Sequence, residues 1–154
     1  MKSLPVLILK YILLFVIFLA LSILNFHVFN YLNDTFFHLE TNYHDGLSRR
    51  LLFYTAVFIA PLIETLIFQT GIYLILEQLF KIKNNVVCIV IMSAAFAAQH
   101  YYNWLYIVAT FFGGLILNTF YIIFNKKIPG YSYYLTALLH ALYNLYGILF
   151  IDSP

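Results

Sequence analysis

Glu64, His100, His140 and Asn144 are ionisable or strongly polar side chains set inside long apolar stretches. An acid, imidazoles and an amide are the side-chain types of acid–base chemistry. Glu64 is the most costly of them. It lies in Val57–Ile75, preceded by Pro61, Leu62 and Ile63 and followed by Thr65, Leu66, Ile67 and Phe68. A carboxylate at mid-bilayer depth costs at least ~2.5 kcal/mol, so such an acid faces a protein interior or a wet cavity and marks a functional site by default. Residues three, four and seven apart share a helix face. Ser93, Phe96, His100 and Asn103 therefore lie near one stripe, and Thr136, His140 and Asn144 form another.

Each residue taken singly has a plainer reading. A lone membrane histidine or asparagine is most often a hydrogen-bonding group between helices. Ser93 and Thr136 are expected to return their hydroxyls to their own backbone. Depth sets the four central side chains apart from such cases. At a rise of ~1.5 Å per residue, Glu64 lies about 18 Å from Leu76 and His100 about 21 Å from Val86. His140 lies about 14 Å from Tyr131, and Asn144 about 20 Å. One layer on separate helices favours chemistry over glue.

The elements that must carry this layer are helices in lipid. The chain has 154 residues, of which 64% are hydrophobic, 20% aromatic and 9% charged. Soluble domains carry roughly 25% charge, so a water-facing surface cannot be covered and membrane lipid is the expected solvent. Five spans are expected, over Leu4–Phe29, Leu51–Leu79, Val86–Tyr102, Trp104–Phe124 and Tyr131–Ile151. Each is near the ~20 residues that cross ~30 Å of hydrocarbon. They are too long and too uniformly apolar for barrel strands, so the fold class is all-α and polytopic. Tyr101, Tyr102, Trp104 and Tyr106 read as an interfacial belt at a tight outer turn, and Tyr131, Tyr133 and Tyr134 as interfacial anchors. The first run continues past Ser22 and is too long for a signal-peptide core, so it is expected to be a retained helix.

Residues 1–50 form an N-terminal helix and polar loop, and residues 51–154 a four-helix core. With the N-terminus cytoplasmic, the inner segments hold Lys2, Lys10, Lys81, Lys83, Lys126 and Lys127, against Arg49 and Arg50 outside. That bias orients the chain N-in, in an expected bacterial cell membrane. Glu77 and Lys81 are spaced as a solvated i, i+4 pair. His38 and His44 read as solvated loop residues, and Cys88 as a small packing residue that no intramolecular disulfide can engage. Gly113 and Gly114 allow close helix approach. The net charge of +2 and the lack of a basic patch exclude a nucleic-acid partner. Oligomeric state is not encoded legibly.

Three segments, in order and on separate helices, resemble the CAAX protease and bacteriocin-processing (Abi) family of intramembrane proteases. Pro61-Leu62-Ile63-Glu64-Thr65-Leu66-Ile67-Phe68-Gln69 resembles its first motif, two glutamates, three variable positions and an arginine. Phe96-Ala97-Ala98-Gln99-His100 resembles the second, and His140-Ala141-Leu142-Tyr143-Asn144 the third. Phe111 to Gly114 and the basic turn Asn125–Gly130 resemble the segment leading to the third motif. The similarity covers about Ala60 to Gly147. Thr65 stands where the second glutamate is expected and Gln69 where the arginine is, and Gly71 is one place late. Joint loss of acid and arginine removes an ion pair whose net worth is often small. Thr65 and Gln69, spaced i, i+4, are positioned to hydrogen-bond each other instead.

The resemblance implies peptide hydrolysis. Glu64 and His100 would orient and deprotonate a water, and His140 and Asn144 would donate to the oxyanion. Thr65, Phe68, Gln69 and Phe96 would support them. A second mechanism uses zinc, with His100 and His140 as ligands and Glu64 as base or third ligand. The sequence offers no His-Glu-x-x-His helix; both versions need the same residues, so sequence does not choose between them, and the metal-free version is the one preferred. The substrate would be a peptide or a membrane-associated protein tail, through CAAX-type or bacteriocin and leader-type processing. A silent scaffold or immunity protein of the same fold is the alternative that the changed first motif favours. A proton-coupled transporter component is disfavoured by small size and the lack of an inverted repeat.

Overall fold

The computed structural model describes residues 4–40 and 48–150. Those residues form five helices and no strands: α1 (Leu4–Phe37), α2 (Arg49–Leu79), α3 (Asn85–Ala98), α4 (Trp104–Lys127) and α5 (Pro129–Phe150). The chain is an all-α polytopic membrane protein. By length and apolarity α1, α2 and α4 can each cross a bilayer. α3, with 14 residues, is shorter than the expected third span. It reaches only ~21 Å. α5 has 22 residues and carries the polar stripe of His140 and Asn144.

Local sequence sets the helix ends. Asn84 accepts hydrogen bonds from the Val86 and Val87 amides at 2.9 and 3.4 Å and starts α3. Asn103 accepts from the Tyr106 amide at 2.8 Å and starts α4. Both are N-caps that satisfy otherwise orphaned N–H groups. Pro129 opens α5, where its missing N–H costs nothing. α1 ends in a widened turn closed by His38, whose φ of 51° is left-handed. His38 is exposed, as a loop residue should be, whereas His44 lies outside the described residues.

Lys81 lies beyond the last turn of α2 with a φ of 54°. The expected helical pairing of Glu77 with Lys81 therefore fails, and no such ion pair forms among the described residues. Arg50 instead lies over the Tyr54 ring, 5.9 Å from its centroid. Tyr101 and Trp104 are exposed at the α3–α4 link, and Tyr131 and Tyr134 at the start of α5, consistent with interfacial positions. Tyr133 departs from them by donating to the Leu62 carbonyl at 3.2 Å.

α4 is central. It packs against α3, α5 and α1, and α2 packs against α5 and α3. A Cβ at Gly114 would meet the Ser93 Cα at 3.1 Å, so glycine lets α3 and α4 touch backbone to backbone. Phe18, Phe96, Leu117, Phe120, Phe124 and Leu139 form the main apolar core. A second cluster contains Tyr73, Leu76, Cys88, Met92, Tyr121 and Ile122, which places Cys88 as a buried packing residue. α1 lies at the edge of the bundle. Asn25 donates to the Ala109 carbonyl at 3.1 Å, and the His27 ring meets the Tyr146 hydroxyl at 2.7 Å.

Candidate active site

α2 is not a uniform α-helix. Wider, i→i+5 turns run over Thr55–Ile59, Thr65–Gly71 and Ile75–Leu79. Such turns concentrate at functional sites, and the first two bracket Glu64. The Ala60 N–H reaches back to the Thr55 carbonyl. Its neighbour Pro61 has no N–H to offer. The Ala56 carbonyl is therefore left without its ordinary helical donor, and the Asn144 amide donates to it at 2.8 Å. A proline in α2 thus creates the acceptor that anchors α5. A Cβ at Gly71 would approach the Leu66 carbonyl at 3.2 Å, so glycine eases the second wide turn.

This anchoring brings α2 and α5 side by side at Glu64. The His140 Nε2 lies 3.8 Å from the Glu64 Oε2, with Glu64 21% exposed and His140 buried. The separation exceeds a hydrogen bond. A single water could sit beside the pair at about 2.8 Å from each atom, which is how polar groups at this range are commonly bridged. His100 does not reach the Glu64 carboxylate. α3 ends at Ala98, and the His100 ring folds back so that Nδ1 lies 2.8 Å from the Phe96 carbonyl. A carbonyl only accepts, so Nδ1 carries the proton and Nε2 is the bare acceptor.

Phe96 is the hub of the site. Its ring centroid lies 4.7 Å from that of His100, 5.8 Å from that of His140 and 5.8 Å from that of Phe68. Glu64, His140, Phe68, Phe96 and His100 are thus one neighbourhood. Asn144 is held about a turn further along α5, at the level of Ala56. Ring contacts through Phe96 bring both imidazoles to the neighbourhood of Glu64, whereas the Asn144 amide bonds a carbonyl eight residues before it.

The remaining polar side chains divide into satisfied and unsatisfied. Ser93 and Thr136 return their hydroxyls to the Ile89 and Ser132 carbonyls at 2.6 and 2.8 Å. Thr65 and Gln69 are wholly buried, yet they make no hydrogen bond to each other or to other described residues. The pairing expected from their i, i+4 spacing does not form within the wide turn Thr65–Gly71. Sequence reasoning passed over Asn118, which is wholly buried on α4 and donates to the Ser93 hydroxyl at 2.9 Å. Its spacing with Tyr121 and Asn125 on one helix face was the available signal.

No three His, Cys, Asp or Glu side chains among the described residues gather as a metal site. As folded, the donor set does not fit a zinc with His100, His140 and Glu64 as ligands, since catalytic zinc typically takes three protein ligands.

The family model described as type II CAAX prenyl endopeptidase Rce1-like matches residues 46–146. No curated protein and no solved structure shows a significant match.

Proposed function

Because the chain belongs to the type II CAAX prenyl endopeptidase Rce1-like family, we propose that it is an intramembrane endopeptidase whose Glu64 activates water beside His140. The observation that carries this reading is the half-buried carboxylate 3.8 Å from an imidazole nitrogen in the interior of a membrane bundle. Intramembrane acids of this kind mark functional sites. Glu64 takes a proton from the water as its oxygen attacks the scissile carbonyl carbon. The resulting oxyanion receives hydrogen bonds, and the same carboxyl then returns the proton to the amine as the C–N bond breaks.

The geometry redistributes the roles that the motifs imply. His140 supports the water at Glu64. His100, with Nε2 as acceptor, lies across Phe96 and helps to orient water from that side. Asn144 spends an N–H on the Ala56 carbonyl and in this reading positions α5, and with it His140, against α2. Thr65, Gln69, Phe68 and Phe96 shape the wall. We assign the mechanism without metal, since the donors do not converge. The substrate is the tail of a membrane-associated protein or a peptide, CAAX-type first and leader-type second. The lysine-bearing ends, around Lys81 and Lys83 and at Lys126 and Lys127, face the cytoplasm. Residues 51–154 make up the catalytic unit in this reading, with residues 1–50 outside it.

A silent scaffold is the second reading, and one observation favours it. Thr65 and Gln69 occupy buried positions with neither charge nor a hydrogen-bond partner among the described residues, so the charged pair of the family motif has no replacement there. Purified protein in detergent, challenged with prenylated CAAX-type and leader-type peptides, tests both. Cleavage that is lost in Glu64→Gln and His140→Ala supports the peptidase. Cleavage that survives Glu64→Gln refutes it, and a wild type that cleaves nothing supports the scaffold. Metal analysis of the pure protein, with chelator titration of the activity, tests the metal-free assignment.

A further inference from the structure

Below the Glu64–His140 pair, the bundle interior is polar and incompletely bonded. The Thr65 hydroxyl, both amide atoms of Gln69, the Asn118 carbonyl oxygen and the His140 Nδ1 are all buried without a hydrogen-bond partner among the described residues. A buried polar atom left unpaired costs about 1–3 kcal/mol. Five such atoms would consume most of the ~5–15 kcal/mol by which a domain is stable. Native interiors resolve this with ordered water held by two to four polar partners.

These atoms belong to one region. Thr65–Gly71 packs against α3, α4 and α5 together. Phe96 touches Phe68 and His140, and its ring lies 3.4 Å from where a Gly114 Cβ would stand. Thr65 and Gln69 flank Phe68, and Asn118 is one turn beyond Gly114 and bonded to Ser93. The residues carrying the orphaned groups are thus His140, which meets the Phe96 ring, and sequence neighbours of Phe68 and Gly114, which also meet it.

The polar surface then continues away from the site. The Tyr121 hydroxyl faces Thr70 and Ser132. Ser132 donates to Asn125 Oδ1 at 3.2 Å. Tyr73, whose ring centroid is 5.7 Å from that of Tyr121, faces Asn125 and Glu77. Glu77 is partly exposed at the end of α2. Three helices thus contribute stripes at helical spacing: Thr65, Gln69 and Tyr73 from α2; Asn118, Tyr121 and Asn125 from α4; Ser132, Thr136 and His140 from α5.

We propose that this α2–α4–α5 junction binds a file of ordered waters, running from the unpartnered atoms of Thr65, Gln69, Asn118 and His140 past Tyr121 to the Asn125–Glu77 end of the bundle. The neutral residues at positions 65 and 69 are water ligands in this arrangement. If the peptidase reading also holds, on which this one consequence rests, the file supplies water and exchanges protons with His140 from the side opposite its Glu64 contact.

X-ray radiolytic footprinting tests the file, because hydroxyl radicals form from bound water and oxidise the side chains beside it. Tyr121, Phe120 and Phe124 are all nearly inaccessible, at 3%, 0% and 1% exposure. In the full-length protein in micelles, Tyr121 is expected to oxidise several-fold faster than the two phenylalanines. Gln69→Leu should slow Tyr121 several-fold and leave Phe120 and Phe124 unchanged. Thr65→Val, which nearly preserves shape, should slow it in the same direction and decides the matter if Gln69→Leu does not fold. Tyr121 oxidising as slowly as Phe124 in the wild type, or at an unchanged rate in the folded variants, overturns the proposal. The readout needs no turnover. Fast Tyr121 oxidation in a protein that cleaves no peptide would leave the file standing and remove the peptidase reading.

Discussion

Asn144 and Pro61 should be energetically coupled although they do not bond to each other. Asn144→Ala removes the amide that donates to the Ala56 carbonyl at 2.8 Å. Interhelical hydrogen bonds in membranes average about 0.6 kcal/mol and reach about 1.7. Here the acceptor has no second donor, because the Ala60 N–H is engaged by Thr55 and Pro61 has none. The cost should lie near the top of that range, about 1–2 kcal/mol. Pro61→Ala restores an N–H five residues after Ala56, in the register that Ala60 and Thr55 already use. In that background Asn144→Ala should cost less than about 0.5 kcal/mol, which gives a coupling of about 1 kcal/mol. The assay is reversible unfolding in mixed detergent and dodecyl sulfate micelles, followed by the fluorescence of Trp104, the single tryptophan. Additive effects of the two substitutions would refute the account of why Asn144 is anchored where it is.

Three further perturbations follow from packing. Gly114→Val should destabilise by about 1–3 kcal/mol through overpacking, because a Cβ already meets the Ser93 backbone at 3.1 Å; the same unfolding assay reads it, and Gly147→Ala, with nothing near its Cβ position, should be close to neutral. Phe120→Ala empties the centre of the core, where Phe120 contacts Phe15, Phe18 and Phe124, and should cost about 3–5 kcal/mol, seen as a lowered dodecyl sulfate midpoint. His27→Phe removes the link to the Tyr146 hydroxyl at 2.7 Å and should cost about 0.5–1.5 kcal/mol, with cysteine cross-linking between α1 and α5 reporting any loosening; an unchanged midpoint would show that this link does not hold α1.

Much of the site was legible because membrane chemistry makes polar residues conspicuous. A carboxylate among Pro61, Leu62, Ile63 and Leu66 needs a reason in lipid, and Glu64 announced itself on composition alone. The depth count put both imidazoles near its level, since helical rise is nearly constant, without choosing between them. Two contacts lay outside that count. His100 was counted along a helix that ends at Ala98, and the ring instead caps that end on the Phe96 carbonyl. Asn144 was placed level with Glu64, but its position is set by a carbonyl that Pro61 leaves bare.

Sequence by itself determined the solvent, the number of helices and the residues able to do chemistry. Those follow from hydrophobicity, length and side-chain type, which are properties of residues one at a time or of near neighbours. Only the tertiary structure decided which imidazole faces Glu64, that Thr65 and Gln69 are buried without bonding each other, and that Asn118, Tyr121 and Ser132 continue their polar surface. These depend on local helix pitch and on which faces three helices turn toward one another. An i, i+4 rule assumes one pitch, and α2 departs from it at Thr65–Gly71, where the candidate site is built.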